Sequence, residues 1–585
     1  MTDMRRTLLW VVFLMSLTLL WDGWNRHNGQ PSMFGPTATT KPAAAPSPSA
    51  AAGVATPLAA GAASGVAVAS SANAPGANLP SEKITITTDL MQATLDSRGG
   101  SLVRLELLQQ QEQYQLDAVD RVVGLFTGNS DKPDPKLAKK NVVLFEQSVE
   151  RPYIAQTGLW PATGGSGNLP EHRTVMRVAP GERSLKDGAN QLQVSFESPD
   201  VGGVKLVKTY TFKRGDYAVG VKHEVVNGSA VALSPRLYLQ LVRHGQPPPG
   251  GSFFYGTFTG PAVYTEASKF QKIEFSDLEK GKATYNKSAD NGWVAIVQHY
   301  FASAWLVGDK QPREFFAGKV PDAINEYTVG MFLPLGEIAP GASKSHEAQL
   351  FAGPQEDKKL KALSDVAPGL DLVRDYGYLT VLAAPLFWLL TQLHAILGNW
   401  GWAIVALVVL LRIAFYWLNV SAYRSMAKMK AINPKVMEMR ERLKDKPQQM
   451  QQEMMRMYRE EKVNPLGGCL PILVQMPFFI ALYSVLLASV EMRNAPWISW
   501  ITDLSAKDPL FILPLLMTAS SLLQTWLNPT PPDPIQARMM WIMPLVFSVM
   551  FFGFPAGLVL YWLTNNILAI AQQWFINKQL GVLGK

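Results

Sequence analysis

The sequence predicts a multi-domain membrane protein: an N-terminal signal anchor, a large exported β-sandwich, and a C-terminal α-helical five-span membrane bundle with a cytoplasmic helical hairpin. Three observations carry that expectation. Residues 376–423 hold a single formal charge, Arg412, and 463–490, 509–532 and 539–577 hold none, which are membrane-length runs. The middle of the chain alternates polar and apolar residues between Gly/Pro turns, the texture of strands. The first residues set a basic flank against an apolar run. The 585-residue chain is 48% hydrophobic and 17% charged, so it is too long for one ordinary domain and too apolar for a disordered protein.

At the start, Arg5 and Arg6 precede an apolar run over 8–21. Trp21 and Trp24 follow it directly and suit a membrane interface, and no small-x-small cleavage site is seen there. Residues 1–24 are therefore read as a transmembrane anchor, with a cleaved signal peptide as the alternative; either way the next segment is exported. Residues 25–80 collapse into Ala, Pro, Ser, Gly and Thr, which bury too little apolar surface to fold, so this is a flexible tether. From 81 to 355 the reading is a β-sandwich. Its clearest hairpin pairs Lys205-Leu-Val-Lys-Thr-Tyr-Thr-Phe212 with Tyr217-Ala-Val-Gly-Val-Lys-His-Glu-Val225 around a turn holding Gly215 and Asp216. The one cysteine, Cys469, permits no intramolecular disulfide, so the exported part must fold on its core alone.

Charge sets the topology of the rest. Residues 421–464 carry eleven Lys/Arg against six acids, which places this loop in the cytoplasm. With Arg5 and Arg6 also inside and the sandwich outside, one crossing is left between 376 and 423. Residues 376–398 are then expected as an amphipathic helix along the outer interface, with Thr391, Gln392 and His394 polar and Gly398-Asn-Trp-Gly401 ending it. The 39 uncharged residues of 539–577 reach about 59 Å as helix, close to two crossings of a core about 30 Å thick, and Gly553-Phe-Pro555-Ala-Gly557 lies at their middle. The expected spans of the 399–585 membrane domain are about 401–420, 466–490, 510–528, 539–553 and 556–576, with both chain termini cytoplasmic.

Arg412 is the sharpest chemical feature. It sits about eight residues, roughly 12 Å, from the cytoplasmic end of its expected span, and a charge at depth costs from about 2.5 to above 10 kcal/mol depending on water access. Two readings stand: the side chain snorkels to the headgroups, or it faces a water-containing cavity where it attracts a carboxylate. Gln475, Ser520, Ser521, Gln524, Thr564, Asn565 and Asn566 are polar groups within spans, suited to joining helices or to lining such a cavity. In the cytoplasmic loop, Asn433-Pro434 reads as N-cap and first helical position, and Asp445-Lys-Pro447 as a turn to a second helix. Eight methionines there, Met426, Met429, Met437, Met439, Met450, Met454, Met455 and Met457, form either a soft surface for varied apolar partners or glue between the two helices. The basic faces suit anionic lipid or ribosomal RNA, and no DNA partner is expected. Nucleophile elbows, phosphate loops and His-Glu-x-x-His are lacking and seven histidines are scattered, so no catalytic residue, metal or cofactor is expected.

Ser425-Met-Ala-Lys-Met429, Glu461-Lys-Val-Asn-Pro-Leu-Gly-Gly-Cys-Leu-Pro471, Gln475-Met-Pro477, Asp503-Leu-Ser-Ala-Lys-Asp-Pro509 and Phe554-Pro-Ala-Gly-Leu-Val-Leu-Tyr-Trp562 resemble the YidC family of bacterial membrane protein insertases, over about 375–580. Asn291-Gly-Trp-Val-Ala-Ile-Val-Gln-His-Tyr-Phe301 resembles a motif in the periplasmic β-sandwich of the long Gram-negative form. The resemblance implies a non-enzymatic insertase and chaperone of the inner membrane, working without nucleotide hydrolysis. A hydrophilic groove in the inner leaflet, open to cytoplasm and lipid, would pass hydrophobic segments of nascent membrane proteins into the bilayer, alone or with the Sec translocon. Arg412, Gln475 and Trp562 match groove positions of the family, and Thr564 and Asn565 join them as candidates; the methionine-bearing hairpin would catch the substrate first. The ribosome or signal recognition pathway and membrane lipids are further implied partners. Two departures stand out: Val408 replaces a polar side chain sometimes found one turn before the arginine, and the family's basic C-terminal extension is nearly absent after Gln579. A small-solute transporter is the main rival reading, but repeats are lacking and spans too few. A membrane-anchored periplasmic carbohydrate protein is the other, without a paired acid and base to support it.

Overall fold

A computed structural model describes residues 80–112, 140–162, 168–246, 258–443, 446–461, 470–528 and 534–579. The expected anchor at 1–24, the tether up to 79, Asp445 of the expected turn and Cys469 lie outside the described residues.

Two nine-stranded sheets face each other. In spatial order the first holds β1 (Lys83–Thr87), β2 (Met91–Asp96), β3 (Ser101–Gln111), β4 (Asn141–Glu146), β5 (Tyr153–Trp160), β10 (Arg236–His244), β17 (Glu326–Pro334), β16 (Arg313–Lys319) and β13 (Ser288–Ala289). The second holds β12 (Lys269–Lys272), β11 (Gly260–Thr265), β14 (Trp293–Val297), β15 (Phe301–Leu306), β18 (Ser343–Pro354), β9 (Ala218–Asn227), β8 (Val204–Lys213), β7 (Gln191–Glu197) and β6 (Arg177–Val178). The hairpin read from alternation is β8 with β9, antiparallel, turning at Gly215 with φ +69°. Along β8 the inward positions are Val204, Leu206, Lys208, Tyr210 and Phe212, the period of two that buries one face. Trp293 stacks on Tyr264 with ring centroids 5.3 Å apart and donates its indole N–H to Pro368 O at 3.1 Å. Trp305, equally buried, donates to Gln240 O of the opposite sheet. Both tryptophans thus bury a large apolar ring with its polar atom satisfied.

Lys208 breaks the apolar pattern. It is fully buried, and its Nζ crosses between the sheets to donate to Gly99 O at 2.5 Å and Thr157 O at 2.6 Å. Its register partner His223 places Nε2 2.9 Å from the hydroxyl of the same Thr157. Burial pushes the lysine down to about 7.

Buried histidines give this domain an acid sensitivity. Desolvation, then Arg173 and Lys208, push His172 down to about 3; desolvation and then Lys208 also lower His223. Both rings stay neutral in the fold, while the unfolded chain protonates below its ordinary value of 6.5. Stability from these groups is therefore intact above about 6.5 and falls as the pH drops toward 3, by up to about 1.4 kcal/mol per pH unit for His172. The thermal midpoint of the β-sheet circular dichroism is expected to fall steadily from pH 6.5 to 4.5, with a shallower slope in His172→Asn. A midpoint that does not move across that range would show that the rings are not held neutral.

Short helices α1 (Phe275–Glu279) and α2 (Asp357–Ala362) flank the sandwich. Eight more follow: α3 (Thr380–Leu397), α4 (Trp400–Ala414), α5 (Tyr416–Arg442), α6 (Pro447–Glu460), α7 (Leu470–Ala488), α8 (Ile512–Leu527), α9 (Pro534–Phe551) and α10 (Ala556–Gln579). Gly398 ends α3 in the left-handed region at φ 67°, its N–H bonded to His394 O, and Asn399 caps α4 by accepting from Trp402 N–H at 3.2 Å. Among the described residues α3 is the one helix both long and apolar enough to cross a membrane. The amphipathic character expected of 376–398 is weak, because Val381, Trp388, Ile396 and Leu397 face outward beside Gln392. The inward face, Ala383, Leu386, Phe387 and Leu390, packs on α4 and α7.

One local expectation is corrected. Asn433-Pro434 does not start a helix; α5 runs unbroken from Tyr416 to Arg442 with Pro434 inside it. One proline removes a single backbone hydrogen bond, which a 27-residue helix rich in Met, Ala, Lys and Arg absorbs. The helix breaks at Phe415 instead, which puts Arg412 in the last turn of α4.

The turn between α9 and α10 is fixed by main chain. Ala556 N–H donates to Ala506 O at 2.7 Å and Gly557 N–H to Leu504 O at 2.8 Å. A Cβ on Gly557 would meet that same Leu504 oxygen at 3.1 Å.

Candidate functional site

The last turn of a helix exposes carbonyls that favour a cation, and Arg412 sits in the last turn of α4. The half-buried guanidinium donates from Nε to Asn565 Oδ1 at 3.0 Å and from Nη2 to Asn565 O at 2.9 Å, joining α4 to α10. The neighbouring Asn566 turns the other way. Its Nδ2 donates to Ser520 Oγ at 3.2 Å and Ser521 Oγ at 3.0 Å on α8. These two serines and Asn566 are therefore helix-joining groups.

One turn before Asn565, Trp562 meets Phe479 of α7 edge-on at 4.3 Å and Phe551 at the end of α9 at 4.7 Å. Gln475 lies half-buried one turn before Phe479 on α7, and Thr564 half-buried beside Asn565 on α10. Of the five residues expected in a groove, Arg412 and Asn565 are in direct contact, and Trp562 is linked to the Gln475 helix through Phe479. Apolar residues close to these in sequence are exposed: Ile413, Tyr416 and Trp417 after Arg412, and Met476 and Ile480 after Gln475.

The methionines divide. Met439 is buried with Ile432 and Val436, Met450, Met454 and Met457 are half-buried, and Met437 and Met455 are exposed; Met426 and Met429 lie on α5. Exposed pairs Lys435–Glu461 at 2.7 Å and Arg442–Glu453 at 2.8 Å bridge the two arms, each worth little by itself.

At the end of the bundle nearest the sandwich, the segment after α7 docks on the β domain. Arg374 donates from Nη1 to Glu491 Oε1 at 3.4 Å and from Nη2 to Asp357, with its guanidinium 4.4 Å over the Phe387 ring. Arg493 bonds Gln111 O and lies over the rings of Tyr300 and Phe301. His299 Nε2 sits 2.8 Å from Leu487 O, and burial pushes this ring down to about 4. Burial also raises Glu491, against the pull of Arg374. Between the two parts lies a cavity of about 260 Å³ lined by Gln298, Gln355, Tyr376, Tyr483, Ser484 and Leu487. Sequence reasoning missed this joint and the Arg412–Asn565 contact, whose partners lie 117 and 153 residues apart. The spacing of Trp562 and Asn565 on one helical face was the only local clue to the second.

A β-sandwich is docked on a helical bundle, in which a half-buried arginine ties α4 to α10 beside exposed apolar side chains. Two family models match the chain, the YidC periplasmic domain over 132–389 and the 60Kd inner membrane protein over 392–581. The membrane protein insertase YidC of Cupriavidus necator is 52% identical over 581 residues, covering 99% of this chain and 98% of that protein. That of Herminiimonas arsenicoxydans is 50% identical over 597 residues, covering 99% of each. The chain belongs to the YidC family of membrane protein insertases, as inner-membrane proteins with a periplasmic β-sheet domain and a C-terminal helical region. A solved structure described as an active YidC insertase with its first transmembrane domain resolved is 19% identical, covers 84% of this chain and 92% of its own, and gives a TM-score of 0.37.

Proposed function

We propose that the chain moves hydrophobic segments of nascent inner-membrane proteins from the cytoplasm into the bilayer, through a polar groove between α4, α7 and α10. The observation that carries this reading is Arg412, half-buried, held by a neutral partner and flanked by exposed apolar side chains. A short polar or acidic tail enters beside the guanidinium, and the apolar segment behind it slides along Ile413, Trp417 and Ile480 into lipid. Partition of that segment out of water supplies the free energy, and no bond is made or broken.

The proposed topology follows charge: anchor 1–24, tether 25–80, sandwich 81–355 in the periplasm, α3 along the outer interface, and five spans in 399–585 with both termini cytoplasmic. The hairpin of 421–464 then faces the cytoplasm, where exposed Met437 and Met455 meet the substrate and its basic faces meet lipid headgroups, a ribosome or a targeting factor. The joint at Glu491 and Arg493 closes the periplasmic end. The chain works alone for some substrates and beside the Sec translocon for others.

Purified full chain in liposomes, given a single-span substrate with a short acidic tail, is expected to protect that tail from added protease. Protection should exceed that of empty liposomes several-fold and be lost on deleting 421–464. Absence of protection both alone and with added translocon would sink the reading.

A further inference from the structure

Arg412 has no carboxylate partner among the described residues, although Arg374 in the same chain is held by two. Its partner is the amide of Asn565, which meets Nε and Nη2 with two oxygens, one from the side chain and one from the main chain. That is how a carboxylate engages a guanidinium fork, with oxygens on adjacent donors, except that this pair carries no charge. The arginine is thus oriented through one edge while its positive charge remains uncompensated. Asn565 is itself prevented from turning. Successive residues on a helix point about 100° apart, and Asn566, with only 6% of its surface exposed, is tied to Ser520 and Ser521 of α8. The α8 contact therefore sets the rotation of α10 that aims Asn565 at α4.

Resting on the groove reading above, we propose that Asn565 is the positioning residue that keeps Arg412 oriented but unneutralised, and thereby sets the preference of the groove for substrate tails carrying carboxylates. Asparagine is suited to this because it supplies acceptors without a counter-charge. An aspartate of nearly the same shape would form an ion pair with Nε and remove the attraction that an incoming carboxylate feels.

The test uses the full chain in liposomes and two single-span substrates identical except for two aspartates or two asparagines in the tail. The readout is the ratio of acidic-tail to neutral-tail insertion rates. Asn565→Asp is expected to lower that ratio about tenfold, and Asn565→Gln, which keeps a neutral amide, to hold it within about threefold of the unaltered chain. In an Arg412→Ala background, Asn565→Asp should leave the ratio where Arg412→Ala alone puts it. If Arg412→Ala shifts the ratio and Asn565→Asp does not, or if Asn565→Gln lowers it as far as Asn565→Asp, the proposal is overturned and the groove reading stands. If neither Arg412→Ala nor Asn565→Asp shifts the ratio, the groove reading fails and takes the proposal with it.

Discussion

Arg412→Ala is expected to slow insertion of an acidic-tailed substrate ten- to a hundredfold, and Arg412→Lys to retain a clearly larger share. A hydrogen bond to a charged group is worth about 1.5–3 kcal/mol, and each 1.4 kcal/mol is tenfold in rate or affinity. The alanine loses both the charge and the two bonds to Asn565 that tie α4 to α10. Lysine keeps the charge but, as a point donor, cannot span the two Asn565 oxygens as the planar fork does, so it should sit between the two. Initial rates of tail protection in liposomes separate the three proteins. Equal rates in all of them would refute an electrostatic role for the arginine.

The second large effect is at the joint. Arg374 has only 5% of its side chain exposed and serves both Asp357 and Glu491, whose side chains are 24% and 18% exposed. Removing one partner of a buried ion pair costs about 3–5 kcal/mol, because the charges left behind are neither solvated nor paired. Arg374→Ala takes the cation from Glu491, leaves Asp357 only the exposed Lys361, and empties the space over Phe387. The backbone N–H of Asp357 also donates to Glu491 at 3.2 Å, so disturbance there reaches the start of α2. The expected outcome is a sandwich that undocks: limited proteolysis between 355 and 380 becomes at least tenfold faster, while the β-sheet circular dichroism keeps its own transition. Unchanged cleavage would mean that Arg493 over Tyr300 and Phe301, together with His299, holds the joint without Arg374.

Much of the architecture was legible because it rests on local periodicity. The hairpin of β8 and β9 follows from alternation and one glycine, and the pair α9 and α10 from an uncharged run interrupted by Gly553 and Pro555. Lys208 shares the buried face of β8 with Leu206 and Tyr210. What alternation could not supply was its partners, since Gly99 and Thr157 lie 109 and 51 residues away. The same limit hid Glu491 from Arg374. Asn433-Pro434 misled for the opposite reason: a strong local helix-start pattern was overridden by good helix formers on both sides. At the site, residue type singled out Arg412 and Asn565, and the family resemblance added Trp562. Which of them touch depends on the rotation of α10, and that is set by the serines of α8.

The lysine between the sheets has a consequence for where such a domain can work. Its Nζ is held by two peptide carbonyls and, among the described residues, by no acid, so charged or neutral it still donates to both. A contact between a buried donor and fixed dipoles has no mobile ions around it to thicken or thin. A domain outside the inner membrane meets a salinity closer to that of the medium than to that of the cytosol. This attachment between the sheets should hold equally in dilute and in briny surroundings, where surface ion pairs would strengthen and fade.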